Sequence, residues 1–191
     1  MDNFLRLETE KLILRDLVKG DEDAITKYAN SLNISQFTQL IPYPYTKEDA
    51  NWFVNHCITE QQKTPRTSYE LAITLKPNDE LIGVMGLTRI DLFSEIGTIG
   101  YWLAEDFWRQ GITTQATKRI MEFGFNELKL RRINIEAYTL NLPSNNLIKK
   151  LGFTFEGIER MGHRVKATGK IFDSNKYGML KEEWLKLSKN Y

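Results

Sequence analysis

The stretch Trp108-Arg109-Gln110-Gly111-Ile112-Thr113-Thr114-Gln115-Ala116 holds the residue types that bind an anion. Ala116, Ile120, Phe123 and Leu128 follow at helical spacing, so a helix opens here. The first N–H groups of a helix have no internal partners, and the macrodipole leaves them partly positive. A glycine at Gly111 lets a phosphate come close to the backbone, and Thr113 and Thr114 add hydroxyl donors. The chemistry this allows is an anion site, most simply for a pyrophosphate. Two commoner phosphate loops do not fit: there is no glycine-rich loop ending in Gly-Lys-Ser or Gly-Lys-Thr, and no GxGxxG opening a βαβ unit. Gly83-Val84-Met85-Gly86 lies inside an apolar run, where glycines mark a bulge or a close backbone approach.

An anion site of this kind needs a strand before it and a helix after it. Thr98-Ile99-Gly100-Tyr101-Trp102-Leu103 is the strand, and the helix spans Thr114–Leu130. Upstream, Leu5, Leu7, Leu12 and Leu14 alternate with charged residues, giving one strand from Leu5 to Leu17. Gly20-Asp21-Glu22-Asp23 reads as a turn and N-cap for a helix reaching about Asn30. Ile34–Tyr45, with Pro42 and Pro44, is loop-like. Thr46-Lys47-Glu48-Asp49 resembles a capping box and starts a helix carrying Trp52, Phe53 and Cys57. Ser68–Leu75 and Leu81–Ile90 form a hairpin around Pro77-Asn78-Asp79, and Ser94–Leu103 completes a meander. Downstream come a strand at Arg132–Tyr138 and a helix starting at Pro143 or Ser144 and ending near Lys149, Lys150 and Gly152. Phe153–Met161 and Lys170–Leu180 are the last strands, joined by a basic loop holding His163, and Glu182–Lys189 is a short tail with Trp184.

The 191 residues suit one domain, 1–191, without linker or repeat. No apolar run reaches membrane-spanning length, and Met1-Asp2-Asn3-Phe4 lacks a signal-peptide pattern. The single cysteine, Cys57, excludes an internal disulfide and fits a reducing, cytoplasmic setting. Two histidines and one cysteine do not make a zinc site, so no metal is expected. Net charge is +1 but unevenly placed. Residues 1–108 hold 10 Lys+Arg against 17 Asp+Glu, whereas 109–170 hold 12 against 5. A basic half containing the anion site and an acidic half elsewhere suggest two ligands, a polyanionic cofactor and a cationic acceptor. Nucleic acid is not expected, because recognition motifs are absent and the chain is near neutral.

The element order β-α-α-β-β-β-α-β-α-β-β, with the anion site between the meander and its helix, resembles the GNAT superfamily of acyl-CoA-dependent acetyltransferases. The residues carrying the likeness are Trp102-Leu103, then Trp108-x-x-Gly111-Ile112-x-Thr114, then Asn141-x-x-Ser144 and Lys150-Leu151-Gly152-Phe153. The opening Thr9-Glu10-Lys11-Leu12-Ile13-Leu14-Arg15 and the late Asp173, Tyr177 and Glu183-Trp184 look like its RimJ/RimL branch, whose founders acetylate the N-termini of ribosomal proteins. The resemblance implies an α+β fold: a mixed, mostly antiparallel sheet of about seven strands, splayed in the middle, with helices on both faces. It also implies acetyl-CoA as the acetyl donor and an amine as the acceptor.

On that likeness, Trp102, Leu103 and Ala104 lie where a splayed strand leaves backbone N–H groups free, one of them polarising the thioester. Arg109, Gln110, Gly111, Ile112, Thr113 and Thr114 surround the pyrophosphate, Asn141 contacts the pantetheine arm, Asn146 adds a cofactor contact, and Lys149 or Lys150 meets the nucleotide phosphate. Ser144 matches a serine assigned as the acid for the leaving thiolate in some members, its other reading being a helix cap. The candidates for general base are His163, preferred over Glu159, since a histidine titrating near working pH suits the task, or no side chain at all, with water relaying the proton. Four departures stand out: Thr98 and Gln115 where this branch often has Glu, Thr113 where many members have Gly or Ala, and Ile148 where many have a tyrosine acid.

The expected reaction moves an acetyl group from acetyl-CoA to a primary amine, with protein N-terminal α-amines favoured by the branch. Polyamines or aminoglycosides are the alternative acceptors, and a CoA-binding module without catalysis is the alternative class. Many relatives dimerise, so a homodimer is among the allowed states.

Overall fold

The computed structural model describes residues 4–188. Eight strands are found among them: β1 (Arg6–Glu8), β2 (Leu12–Asp16), β3 (Tyr69–Leu75), β4 (Glu80–Asp91), β5 (Ile96–Leu103), β6 (Arg132–Tyr138), β7 (Thr154–Arg164) and β8 (Ile171–Leu180). The helices are α1 (Glu22–Ala29), α2 (Leu32–Ser35), α3 (Lys47–Gln61), α4 (Ile112–Glu122), α5 (Leu142–Lys150) and α6 (Lys181–Ser188). The strands form one sheet in the order β1-β2-β3-β4-β5-β6-β8-β7, antiparallel except for β5 against β6. The expected mixed, mostly antiparallel sheet is therefore observed, with one strand more than expected. The opening strand is a hairpin, because Thr9 turns the chain: its N–H donates to the Leu12 carbonyl (2.9 Å) and its Oγ1 accepts from the Leu12 N–H (2.9 Å).

Period-2 alternation along each strand sorts the core into two layers. Leu14, Leu71, Ile73, Met85, Leu87, Ile99, Leu103, Ile133 and Ile135 pack with α4 and α5 on one face. Ala72, Val84 and Trp102 pack with Ile25, Ala29, Val54 and Cys57 of α1 and α3 on the other. The expected close approach in β4 is present: a Cβ on Gly83 would lie 2.5 Å from the Trp102 carbonyl.

Three local expectations meet different outcomes. Asp21 stands at the N-cap of α1 but does not cap it; Arg15 claims its carboxylate through two bonds of 2.9 Å. The capping box at Thr46 does form, with both Thr46 and Asp49 side chains bonded to each other's N–H. Helix α4 begins two residues earlier than expected and ends at Glu122 in a wider π turn over Phe123–Glu127. Trp184 of α6 stacks on Phe125 at 5.2 Å, so it belongs to the core, whereas Trp52 is 68% exposed. The expected tail end, Lys189, lies outside the described residues. No helix among those described is long and apolar enough to cross a membrane.

Candidate active site

The central feature is a gap between β5 and β6. The two strands pair in parallel only from Ile96↔Arg132 to Ile99↔Ile135, while β5 continues to Leu103 against β4 and β6 to Tyr138 against β8. Past Ile99 the inner strands part. The Ala104 N–H donates to the Ile82 carbonyl at 2.8 Å. Alternation then turns the Trp102 N–H toward β4 as well, and turns the Tyr101 and Leu103 N–H groups toward the gap. This corrects the expectation at Trp102 and Ala104: of the three expected free N–H groups only Leu103's faces the gap, and Tyr101 supplies the other. The Trp108 indole helps to hold the opening, since its Nε1–H donates at 2.7 Å to the Leu103 carbonyl that β6 would otherwise take.

A cleft of about 490 Å³ runs into the gap between α4 and α5 on one side and the segment 33–38 on the other. Its wall includes Trp102, Leu103, Arg109, Gly111, Ile112, Thr113, Thr114, Asn141 and Ser144. Gly111 is the N-cap of α4 at φ +77°, with open space where a Cβ would stand, and Arg109 is left-handed too at φ +62°. A non-glycine residue is strained by about 1 kcal/mol or more in that region, so the Arg109 geometry is imposed by the loop around it. Two left-handed residues around Gln110 bend the backbone into a concave loop ahead of the free N–H groups of α4, the shape and polarity that a pyrophosphate requires. Gln115 is turned away, accepting from Thr9 Oγ1 at 2.8 Å, which ties the helix to the β1–β2 turn.

On α5, Asn141 is the N-cap: its Oδ1 accepts from the Ser144 N–H at 3.3 Å. Ser144 is therefore not the cap. Its hydroxyl lies 2.8 Å from the Tyr101 phenol, joining β5 to α5 across the gap. Burial pushes Tyr101 up to about 12, partly offset by that hydrogen bond, so the phenol keeps its proton at neutral pH. Ile148, where a tyrosine acid was the family expectation, is fully buried in the core. The phenol comes from β5 instead, a partner that no spacing within 141–153 could reveal. Asn146 and Lys149 are exposed and do not line the cleft; the helix turns Ser144 and Leu147 inward instead. The buried asparagine is Asn145, bonded to the Tyr138 carbonyl, Asn175 and Tyr177.

A second cavity, about 320 Å³, opens on the opposite face of the sheet under the loop Phe37–Ile41. It shares Ile99, Gly100, Tyr101, Trp102, Glu136 and Ala137 with the first, and Phe37 and Thr38 of the covering loop, so the two meet at the gap and under that loop. His163 lines it, and the structure corrects its surroundings. It lies within β7, opposite Phe172, rather than in a basic loop. Its Nε2 stands 3.5 Å from Glu136 and 3.4 Å from Glu159, buried and without a hydrogen bond. Lys176 bridges the same two carboxylates. Its hydrogen bond holds the Glu159 carboxyl below its ordinary value. Ligand atoms of Glu136, Glu159 and His163 lie within 4.8 Å of one another, but the Lys176 ammonium already occupies the cation position between the carboxylates. The buried Cys57 thiol is pushed up by burial, which leaves it a poor nucleophile. Glu70 also lines this cavity, and sequence reasoning passed over it.

The family described as "Acetyltransferase (GNAT) domain" matches residues 11–154. The chain belongs to the GNAT acetyltransferase family. As a GNAT enzyme it is an acetyl-CoA-dependent N-acetyltransferase, and the concave loop with its free N–H groups fits that donor. The chain is 29% identical over 180 residues, 93% of its length and 97% of the relative's, to the uncharacterized N-acetyltransferase p20 of Bacillus licheniformis. It is 32% identical over 127 residues, 66% of this chain and 65% of the other, to the ribosomal-protein-serine acetyltransferase of Escherichia coli. Among solved structures, RimL, a ribosomal L7/L12 α-N-protein acetyltransferase in complex with coenzyme A, matches with a TM-score of 0.83 at 23% identity, covering 94% of this chain and 99% of that one.

Proposed function

We propose that this GNAT enzyme acetylates a protein N-terminal α-amine of the ribosomal-protein type. The observation that carries the reading is the gap itself. The donor cleft reaches it from the α4–α5 face, and a cavity lined by the carboxylates Glu70 and Glu136 reaches it from the other. The acetyl donor lies along Asn141 and the first turn of α4, with the N–H groups of Gly111 to Thr114 on its pyrophosphate. The Tyr101 and Leu103 N–H groups polarise the thioester carbonyl, a role oriented backbone dipoles perform without reorganisation. The Tyr101–Ser144 hydroxyl pair gives the departing sulfur its proton. Glu159 takes no proton in this scheme, since Lys176 holds it ionised at the exposed sheet edge. His163 holds the acceptor from the β7–β8 side.

The named ribosomal-protein relative supports the α-amine, as does the branch likeness. The cavity of about 320 Å³ with two carboxylates favours a second reading, a small cationic amine such as a polyamine or aminoglycoside. Thiol release from acetyl-CoA over a panel of N-terminal peptides, spermidine and aminoglycosides separates them. Peptides should give the highest kcat/KM. Turnover confined to spermidine or an aminoglycoside would replace the first reading with the second.

A further inference from the structure

Register places Glu70, Gly86 and Gly100 in one line across β3, β4 and β5. Directly paired residues share a face, and this is the face of Ala72, Val84 and Trp102, covered by α1 and α3. The line points at the gap, and on its far side stand Glu136 of β6 and its register partner Lys176 of β8. Two consecutive glycines turn the line into a trough. A Cβ on Gly86 would fall 2.6 Å from a Glu70 carboxylate oxygen, so the carboxylate lies over Gly86 because no side chain is there. Above Gly100 the space is open. Strands lie about 4.8 Å apart, so the Glu70 carboxylate ends roughly one strand spacing from Gly100, at the edge of the gap.

We propose that Glu70 is the proton acceptor for the attacking amine. The inference rests on the acetyl-transfer reading above and assigns a catalytic residue within it. Glu136, at the other end of the line, is engaged by Lys176, whereas Glu70 has no basic partner in its hydrogen bonds or ion pairs among the described residues. An ammonium group resting over Gly100 meets the Glu70 carboxylate directly or through one water. Of its three N–H protons, one passes to Glu70 and on to solvent. The nitrogen lone pair forms the new C–N bond as the C–S bond breaks. A second proton returns to sulfur through the Tyr101–Ser144 hydroxyls, and the third stays on the amide.

The environment of Glu70 agrees. Burial pushes its carboxyl up to about 7, where a general base works well at neutral pH. The groups around it are the Cys57 thiol of α3, and Tyr45, Arg89, Glu136 and His163, which line the same cavity. Of the permanent cations on this face, Arg89 lies further along β4 and Lys176 is held by Glu136 and Glu159.

The test compares wild type, Glu70→Gln, Glu70→Asp and His163→Ala as full-length proteins, using the best amine of the peptide, spermidine and aminoglycoside panel. Glu70→Gln should lower kcat/KM about 100-fold at neutral pH while acetyl-CoA affinity by calorimetry stays within about twofold. Its acid limb should move from near 7 toward the free amine, about 8 for an α-amine. Glu70→Asp, which keeps a carboxylate, should recover at least tenfold of the loss. A readout without substrate accompanies these. Because the folded carboxyl titrates above its unfolded value, wild type should lose thermal stability relative to Glu70→Gln as pH rises from 4.5 to about 7, and no further above it. A Glu70→Gln enzyme within twofold of wild type, or one that keeps the limb near 7, overturns the assignment. So does a limb that disappears in His163→Ala instead, which would make His163 the base. If wild type binds acetyl-CoA but releases no thiol with any amine, the acetyl-transfer reading fails first, and the stability slope still reports on Glu70.

Discussion

On the side of the β5–β6 gap proposed for the donor, the polar groups on offer are backbone: the first turn of α4, the left-handed pair Arg109 and Gly111, and the Tyr101 and Leu103 N–H groups. On the side proposed for the acceptor the lining is side chains drawn from β3, β6, β7 and β8. Backbone sites bind what every acetyl donor shares, a pyrophosphate and a thioester. Side-chain sites are remade by single substitutions, which lets one fold serve many amines. The difference also means that damage should be separable: donor-side changes should act on acetyl-CoA affinity, acceptor-side changes on turnover and amine choice.

The sharpest break is Gly111→Asp. It places a side chain at φ +77° and a carboxylate against the pyrophosphate, so acetyl-CoA affinity should fall at least about 100-fold, roughly 2.7 kcal/mol. Calorimetry reads this, and unchanged affinity would remove the anion site from the account. Next in size are Tyr101→Phe and Ser144→Ala, which sit where the two sides meet. Each should lower kcat about 10- to 100-fold with acetyl-CoA affinity kept, and the double variant should be little worse than either, because the hydroxyls act as one unit. Additive losses would show two independent roles. The smallest effect is Asn141→Ala. Losing the α5 cap should cost about 1 kcal/mol and a few degrees of melting temperature, with a modest loss of donor affinity. A variant as stable as wild type would deny Asn141 its capping role.

The strand–glycine–helix order of the loop before α4 was legible in the sequence because its physics is local. A strand, a glycine and a helix start follow one another within residues 98–116, and the fold follows from alternation and helical spacing along the chain. What escaped was set by register and by side chains meeting from afar. Glu70, Gly86 and Gly100 lie in three different strands and become one feature only when those strands pair. Tyr101 reads as an apolar strand residue until α5 brings Ser144 to it. His163 looked like part of a basic loop because the β7–β8 hairpin extends three residues beyond the expected Met161, folding the histidine toward Glu136 and away from the cations beside it in sequence. Asp21 had the right place for a cap, but the buried Arg15 took its carboxylate. Asn146 and Lys149 were expected at the cofactor, yet the turn of α5 leaves both facing solvent.

The central claim is that the gap is a passage, with donor and amine entering from opposite faces of the sheet. A crystal structure with a bisubstrate analogue, a peptide α-amine joined to coenzyme A through an acetyl bridge, tests it most directly. The pyrophosphate should lie on the N–H groups of Gly111 to Thr114, the bridge between Tyr101 and Ala137, and the amine nitrogen over Gly100 within one water of Glu70. A peptide portion lying on the α4–α5 face beside the coenzyme, with the Glu70 trough filled only by solvent, would contradict the account.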